Sequence, residues 1–379
     1  MPESAPSSPA TASREAVCSS AAPASVPSLS RAEVRELLFD LPWSELQALA
    51  HQCRLRHKGR HVHVRGLLEF SNVCRRNCRY CGLRHENRRL SRYSLSAAEL
   101  LRAASQAVAA GVDTLVLQSG EMARNPLWLA QVVRGLKERF GLPVTLSVGE
   151  QPREWYALWR EAGADRFLLK HETADARLYA ALHPGYRLTD RLRALSWLAE
   201  LGYEVGSGFM VGVPGQRPES LVDDILLVRD MRVAMCGAGP FVPQADTPLG
   251  RQPRGSTELC LRVMAVLRLA LPWANLPATT ALASLRPEDG QRQGLEQSGQ
   301  RRTLFTGHCI DLRFCIDPRQ RNHHRRQSTG QQPVERIDKS PVFHFIPVPQ
   351  QPRVETARIK PRLQIDEQRI IAAIPIDIA

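Results

Sequence analysis

The chain runs to 379 residues, of which 43% are hydrophobic and 23% charged. That composition can bury a sizeable core and excludes a wholly disordered protein. No apolar run reaches the ~18 residues that a membrane-spanning helix needs. With 51 Lys and Arg against 38 Asp and Glu the net charge is +13, a balance that invites a nucleic-acid reading until the charge is located.

Residues 1–28 are rich in Ser, Ala and Pro and read as a disordered arm. Glu3, Glu15 and the scarcity of Arg speak against a transit peptide, and no secretory signal is evident, so a cytoplasmic protein is expected. A helical pattern begins near Ser28 and resumes at 43–50. From His61 short apolar strands alternate with amphipathic helices. Strands are expected at 65–70, 114–118, 144–147, 166–170, 204–210, 235–241 and 276–280. Ser96 and Glu99 form a capping box ahead of the first intervening helix, which stops at Gly111. Later helices fall at 127–140, 153–161, 190–201, 219–231 and 258–271, with glycine stops at Gly141, Gly163 and Gly202.

This ladder implies right-handed βαβ units and a parallel sheet, so the fold class is α/β and the architecture a (βα)8 barrel, or an open version of it, over residues 29–297. A dinucleotide-binding fold is disfavoured because no G-x-G-x-x-G follows the first strand. The eighth strand, due after a helix-like stretch at 288–297, is missing. Residues 298–379 lose all period and read as a basic tail of low order. Residues 300–379 hold 14 Lys and Arg against 8 Asp and Glu, nearly half of the excess positive charge. The charge marks a break in the chain and does not recommend nucleic acid.

Nine cysteines, an odd total, argue against a disulfide framework. Cys236 and Cys260 lie in apolar segments and read as buried, inert thiols. Cys74, Cys78 and Cys81 instead cluster in Glu69-Phe-Ser-Asn-Val-Cys-Arg-Arg-Asn-Cys-Arg-Tyr-Cys-Gly82, directly after the first strand. Structural zinc takes four ligands, usually as two separated pairs, and no partner pair is evident. Three thiolates leave one iron of a [4Fe–4S] cluster without a protein ligand, open to the amino and carboxylate groups of S-adenosylmethionine. This spacing, with Tyr80 before the last cysteine, is identified as the signature of the radical SAM superfamily. The competing readings are an accidental thiol cluster and a partial zinc site.

Further polar residues fall at strand ends, where barrel sites form. They are Ser119, Gly120 and Glu121 after the second strand, and Lys170 and Glu172 after the fourth. Arg191 opens the next helix and reads either as a carboxylate partner or as a solvated surface residue. Met210 lies in a glycine-rich segment, Gly206 to Gln216, where backbone must approach another group closely. Thr279 and Thr280 end the seventh expected strand and offer hydroxyls to a substrate or anion. The bland reading of each is an ordinary strand-end residue.

Together these segments resemble the HydE family, the radical SAM maturases of [FeFe]-hydrogenase. The resemblance spans roughly 28–297 and rests on the cysteine segment with Leu117-Gln-Ser-Gly-Glu121, Leu169-Lys-His-Glu-Thr-Ala174, Met210-Val-Gly-Val-Pro-Gly-Gln216, Gly239-Pro-Phe-Val-Pro243 and Leu276-Pro-Ala-Thr-Thr-Ala281. It implies one [4Fe–4S] cluster on Cys74, Cys78 and Cys81, and S-adenosylmethionine held by Tyr80, Ser119, Gly120, Glu121, Lys170, Glu172, Arg191 and Met210. Lys170 stands where the family usually has Arg, which keeps the charge but loses the bidentate fork. Thr279 and Thr280 match an inner anion-binding cavity. The implied partners are a small iron-containing substrate complex, an electron donor such as ferredoxin or flavodoxin, and other hydrogenase maturation proteins, with no membrane. Methylornithine synthase and biotin synthase are related, so an organic amino-acid substrate is the alternative, as is an inactive cluster-binding protein. Cys309 and Cys315 do not fit the second cluster that some members carry.

The tail departs from the family at Ser298-Gly-Gln-Arg-Arg-Thr303. One choice of codons for that segment, shifted by a base, encodes Arg-Ala-Asn-Val-Val, close to the expected eighth strand. The tail therefore reads as a frameshift product, or else as a lineage-specific basic extension.

Overall fold

The computed structural model describes residues 29–59, 63–121, 125–296 and 309–313. The N-terminal arm and nearly all of the tail lie outside these residues. Two helices come first, α1 (Arg31–Phe39) and α2 (Trp43–His57). Ser30 and Glu33 close a capping box on α1. The alternating ladder follows: β1 (His63–Ser71), α3 (Ala97–Ala109), β2 (Thr114–Ser119), α4 (Pro126–Phe140), β3 (Val144–Ser147), α5 (Arg153–Glu161) and β4 (Arg166–Leu168). Then come α6 (Ala176–Leu182), α7 (Leu188–Glu200), β5 (Glu204–Val211), α8 (Pro218–Asp230), β6 (Met235–Pro240) and α9 (Thr257–Ala270). The described chain ends with α10 (Thr280–Leu285), α11 (Gly290–Glu296) and β7 (Cys309–Arg313).

The start signals read from the sequence hold. Ser96 and Glu99 cap α3 reciprocally, and α4 stops at Gly141 in the left-handed conformation; its start, Asn125 capping ahead of Pro126, comes from the structure. The short helix α6, capped by Asp175, was not expected.

All six strand pairings are parallel and give one sheet in the order β6-β5-β4-β3-β2-β1-β7. The strands curve as a half-barrel with helices packed on the outer face. Alternation fixes which side chains face out. Leu68, Phe70, Leu115, Leu117, Val144, Leu146 and Phe167 meet α3, α4, α5 and α7 in one core. Phe209, Val211, Cys236 and Ala238 meet α1, α2, α8 and α9 in a second. Cys236 and Cys260 are buried in this apolar layer, as expected.

Two expectations are corrected. Residues 276–280 do not form a strand: a single parallel bridge joins Met235 to Asn275, and Thr280 already begins α10. Pro277, without an N–H, interrupts any ladder there. Conversely, the eighth-strand position beside β1 is filled. Cys309–Arg313 pairs with β1 from His63↔Cys309 to Leu67↔Arg313, so five residues of the tail are ordered strand. Among the described residues β6 and β7 do not pair, and the sheet stays open between them.

Candidate functional site

In a parallel sheet the C-terminal strand ends share one side, and here the loops that follow them converge. Cys74, Cys78 and Cys81 lie in the loop between β1 and α3, each half-buried. Burial pushes the Cys78 thiol up to about 12, reinforced by Cys81 and Cys74, and burial pushes Cys81 up to about 11. Thiols crowded in this way become thiolates only beside a compensating cation. Among the described residues no three His, Cys, Asp or Glu converge on one point as ligands of a single ion. Three thiols on one loop are the donor set of an iron–sulfur cluster, one thiolate per iron.

The turn after β2 holds this loop. Gly120 lies so close that a Cβ there would stand 2.4 Å from the Val73 carbonyl oxygen and 2.8 Å from the Cys74 Cβ. Its N–H donates to Ser71 O at 3.0 Å, and the Arg75 N–H donates to Glu121 O at 2.7 Å. On the far side of the loop, the Arg79 N–H donates to Leu182 O at 2.9 Å, at the end of α6.

Beside the cysteines runs a buried chain of alternating charge. Arg76, with a side chain only 3% exposed, donates from Nε to Glu121 Oε1 at 2.5 Å and pairs through Nη2 with Glu150 Oε2 at 2.7 Å. Glu150 in turn accepts from Arg191, whose Nη1 also donates to the Lys170 carbonyl. The Glu150 N–H donates to Glu121 Oε2 at 2.9 Å. Arg75 spans both acids, donating to Glu121 Oε1 at 3.1 Å and to Glu150 O at 2.8 Å. Burial alone would raise the Glu150 carboxyl, but Arg191 and Arg76 hold it below the usual carboxylate range. The Arg76 guanidinium lies 3.3 Å from the centre of the Tyr186 ring. Gly149 has φ +76, and a Cβ there would strike the Glu121 side chain, so glycine is required where the two acids meet.

Glu172 is 9% exposed and adopts φ 68, a left-handed conformation that costs a non-glycine residue about 1–3 kcal/mol. Its carboxylate meets Lys170 Nζ at 3.1 Å. Burial works against the charge, yet Lys170 and Arg191 keep Glu172 below the usual range.

Tyr80 and Met210 share a small apolar cluster with Leu178, Leu182, Val213 and Phe241. The Tyr80 hydroxyl lies 3.0 Å from His183 Nε2, and His183 Nδ1 lies 3.0 Å from the Tyr179 carbonyl oxygen. A carbonyl only accepts, so Nδ1 carries the proton and Nε2 accepts from Tyr80. Burial pushes His183 down to about 4, which keeps the ring neutral. Three buried hydroxyls, on Thr145, Tyr179 and Thr279, have no hydrogen-bond partner among the described residues.

A profile for the Radical SAM superfamily matches residues 68–228. The [FeFe] hydrogenase maturase subunit HydE of Thermotoga maritima is 47% identical over 242 residues, covering 63% of this chain and 69% of that protein. The chain belongs to the HydE family. A 3-methylornithine synthase of Methanosarcina acetivorans is 29% identical over 263 residues, covering 68% of this chain and 75% of its own. The crystal structure of methylornithine synthase superposes with a TM-score of 0.68 at 26% identity, over 76% of this chain and 84% of that one. The maturase HydG of Carboxydothermus hydrogenoformans, at 19% identity and a TM-score of 0.64 over 75% of this chain and 67% of its own, shares the fold. Like other members of the HydE family, this chain is a radical SAM enzyme.

Most of the residues singled out from the HydE resemblance meet at this strand-end site. The three cysteines, Gly120 and Glu121 form one unit, Lys170, Glu172 and Arg191 a second, and Tyr80 and Met210 a third. Ser119 stays apart, its hydroxyl donating to the Gly120 carbonyl at 2.8 Å. Thr279 packs against Gly239 of β6 and stands at the N-cap of α10. Glu150, Arg76, Tyr179 and His183 were missed. Glu150 carried a usable signal, because it follows β3 as Glu121 follows β2. Cys309 belongs to β7 and Cys315 lies outside the described residues.

Proposed function

We propose that this chain holds one [4Fe–4S] cluster on Cys74, Cys78 and Cys81, cleaves S-adenosylmethionine there, and acts in assembly of the diiron site of [FeFe]-hydrogenase. The observation that carries the reading is the seating of the three-cysteine loop on Gly120 and Glu121, with Arg191 braced nearby. When bound, the cluster and S-adenosylmethionine supply an electron and a 5′-deoxyadenosyl radical. Glu121 binds the ammonium of the methionine moiety and Arg191 its carboxylate. Glu172, kept ionised by Lys170, accepts from the ribose hydroxyls. Tyr80 and Met210 cover the adenine and exclude water, and the Ser119-Gly120 turn offers backbone groups. Thr279 and Thr280 line an inner anion cavity. The substrate is a small iron-containing complex. The partners are a ferredoxin or flavodoxin and other maturation proteins, in the cytoplasm. Among the described residues no helix is long and apolar enough to cross a membrane.

Anaerobic reconstitution followed by assay of 5′-deoxyadenosine tests the reading. The wild type binds about four irons and releases 5′-deoxyadenosine on reduction, whereas Cys78→Ala loses the cluster signal and the product. A fully loaded cluster without cleavage would sink the proposal. Turnover of an amino acid in place of an iron complex would favour the methylornithine-type alternative.

A further inference from the structure

The loop that carries the cysteines is unusually basic on its outer side. Arg75, Arg79, Arg88 and Arg89 are exposed there, and Arg251 and Arg254 are exposed on the loop between β6 and α9. The two loops join at Arg79, whose carbonyl accepts from the Leu249 N–H at 3.1 Å, and at Arg89, whose Nη1 meets Asp246 Oδ1 at 2.9 Å. The exposed acids on this face, Glu86 and Asp246, are already paired with Arg84 and Arg89. Among the described residues Arg79, Arg88, Arg251 and Arg254 have no carboxylate partner. The surface therefore carries uncompensated positive charge around the mouth of the cysteine loop.

A second observation falls at the same place. The described residues include three exposed large hydrophobics, Leu49, Val73 and Leu127. Val73 is 36% exposed and immediately precedes Cys74; Leu127 is 57% exposed in the first turn of α4. β1 and β2 are parallel neighbours, so the segments that follow them emerge at the same end. Two apolar anchors beside a basic rim have the makeup of a protein-docking face.

We propose that this face docks an acidic one-electron carrier protein. The inference rests on the radical SAM reading above. A partner seated on Val73 and the arginines stands against the loop between Cys74 and Cys81, whose thiols would hold the cluster. One electron leaves the reduced carrier and enters the cluster; the carrier is oxidised by one electron, and no atom or proton is exchanged. Nucleic acid also favours positive charge, but it gives no reason for the exposed valine or for the position at the cysteines.

The test uses the full, reconstituted chain and an acidic flavodoxin as probe. Wild type should bind it with an affinity that falls steeply with salt. The Arg79→Glu/Arg88→Glu variant should weaken binding at low salt at least about tenfold, and flavodoxin-driven cluster reduction should slow in proportion. Dithionite, which needs no docking, should reduce the variant's cluster at the wild-type rate. Arg139→Glu, at the opposite end of α4, should change nothing. Val73→Ser should weaken binding without altering its salt dependence. The proposal is overturned if the double variant binds as wild type, if Arg139→Glu weakens binding equally, or if a duplex RNA binds as tightly and displaces the flavodoxin. Absence of 5′-deoxyadenosine from wild type with dithionite would fail the radical SAM reading instead, while the binding data would still decide the docking face.

Discussion

Arg76 shows how much of the site lies between residues that a motif names. It occupies one of the three unspecified positions of C-x3-C, yet it separates two carboxylates, the buried Glu121 and the half-buried Glu150. The two ends of the charged chain, Glu121 and Arg191, are opposite in sign, as the two ends of an amino-acid zwitterion require. Arg76 and Glu150 set the spacing between them. Arg76→Ala leaves Glu121 to Arg75 and Glu150 to Arg191, a loss of about 1–3 kcal/mol. Thermal unfolding should show a lower Tm, and calorimetric titration should show S-adenosylmethionine bound at least about tenfold more weakly. Arg76→Lys should recover part of the Tm but little of the affinity, since a point charge cannot fork between two carboxylates. Equal Tm in all three proteins would remove the brace from the account. The cysteines were legible because thiols at that spacing have few other uses. Arg76 was not, because an arginine in sequence looks the same whether solvated or buried between acids.

At the scale of elements, the ladder from β1 to β6 was legible because each strand and helix carries its own period, capping residue or glycine stop. The two errors have separate physical causes. Leu276-Pro-Ala-Thr-Thr280 has strand-like content, but Pro277 removes the donor that pairing needs. Cys309-Ile-Asp-Leu-Arg313 alternates apolar and polar residues, the pattern of a strand with one covered face, yet it was lost in an Arg- and Gln-rich background. This strand pairs with the first half of β1, His63 to Leu67, the element that leads into the cysteine loop. A chain ended at Glu296 should therefore show faster amide hydrogen exchange along His63–Leu67, with protection of β3 and β4 unchanged. Unchanged exchange in β1 would mean that β7 contributes no stability to this edge. The exposed edge should also make that truncated chain more prone to associate, which light scattering would register.

For the whole molecule, pH acts through groups held far from their solution behaviour. His183 is buried and sits near 4 in the folded chain against an ordinary 6.5. Above pH 6.5 it is neutral in both states and exerts no pull. Between these values the unfolded chain takes up a proton that the folded chain refuses, so stability falls as the pH drops through that window. The loss is at most roughly 3 kcal/mol. The Tm of wild type should decline from pH 6.5 to 4 more steeply than that of His183→Asn, whose amide can still bond Tyr80 and the Tyr179 carbonyl. Identical slopes would assign the acid sensitivity to other groups.

The pairing of β1 with β7 also has a consequence in time. The ribosome releases Cys309 roughly 250 residues after His63, and at ~5–20 residues per second that interval is tens of seconds. Throughout it β1 can find β2 but not its other neighbour. The nascent protein therefore carries a half-satisfied strand, and the cysteine loop behind it, as the rest of the barrel is made. Cluster insertion that waits for a settled β1 would come after synthesis, not during it.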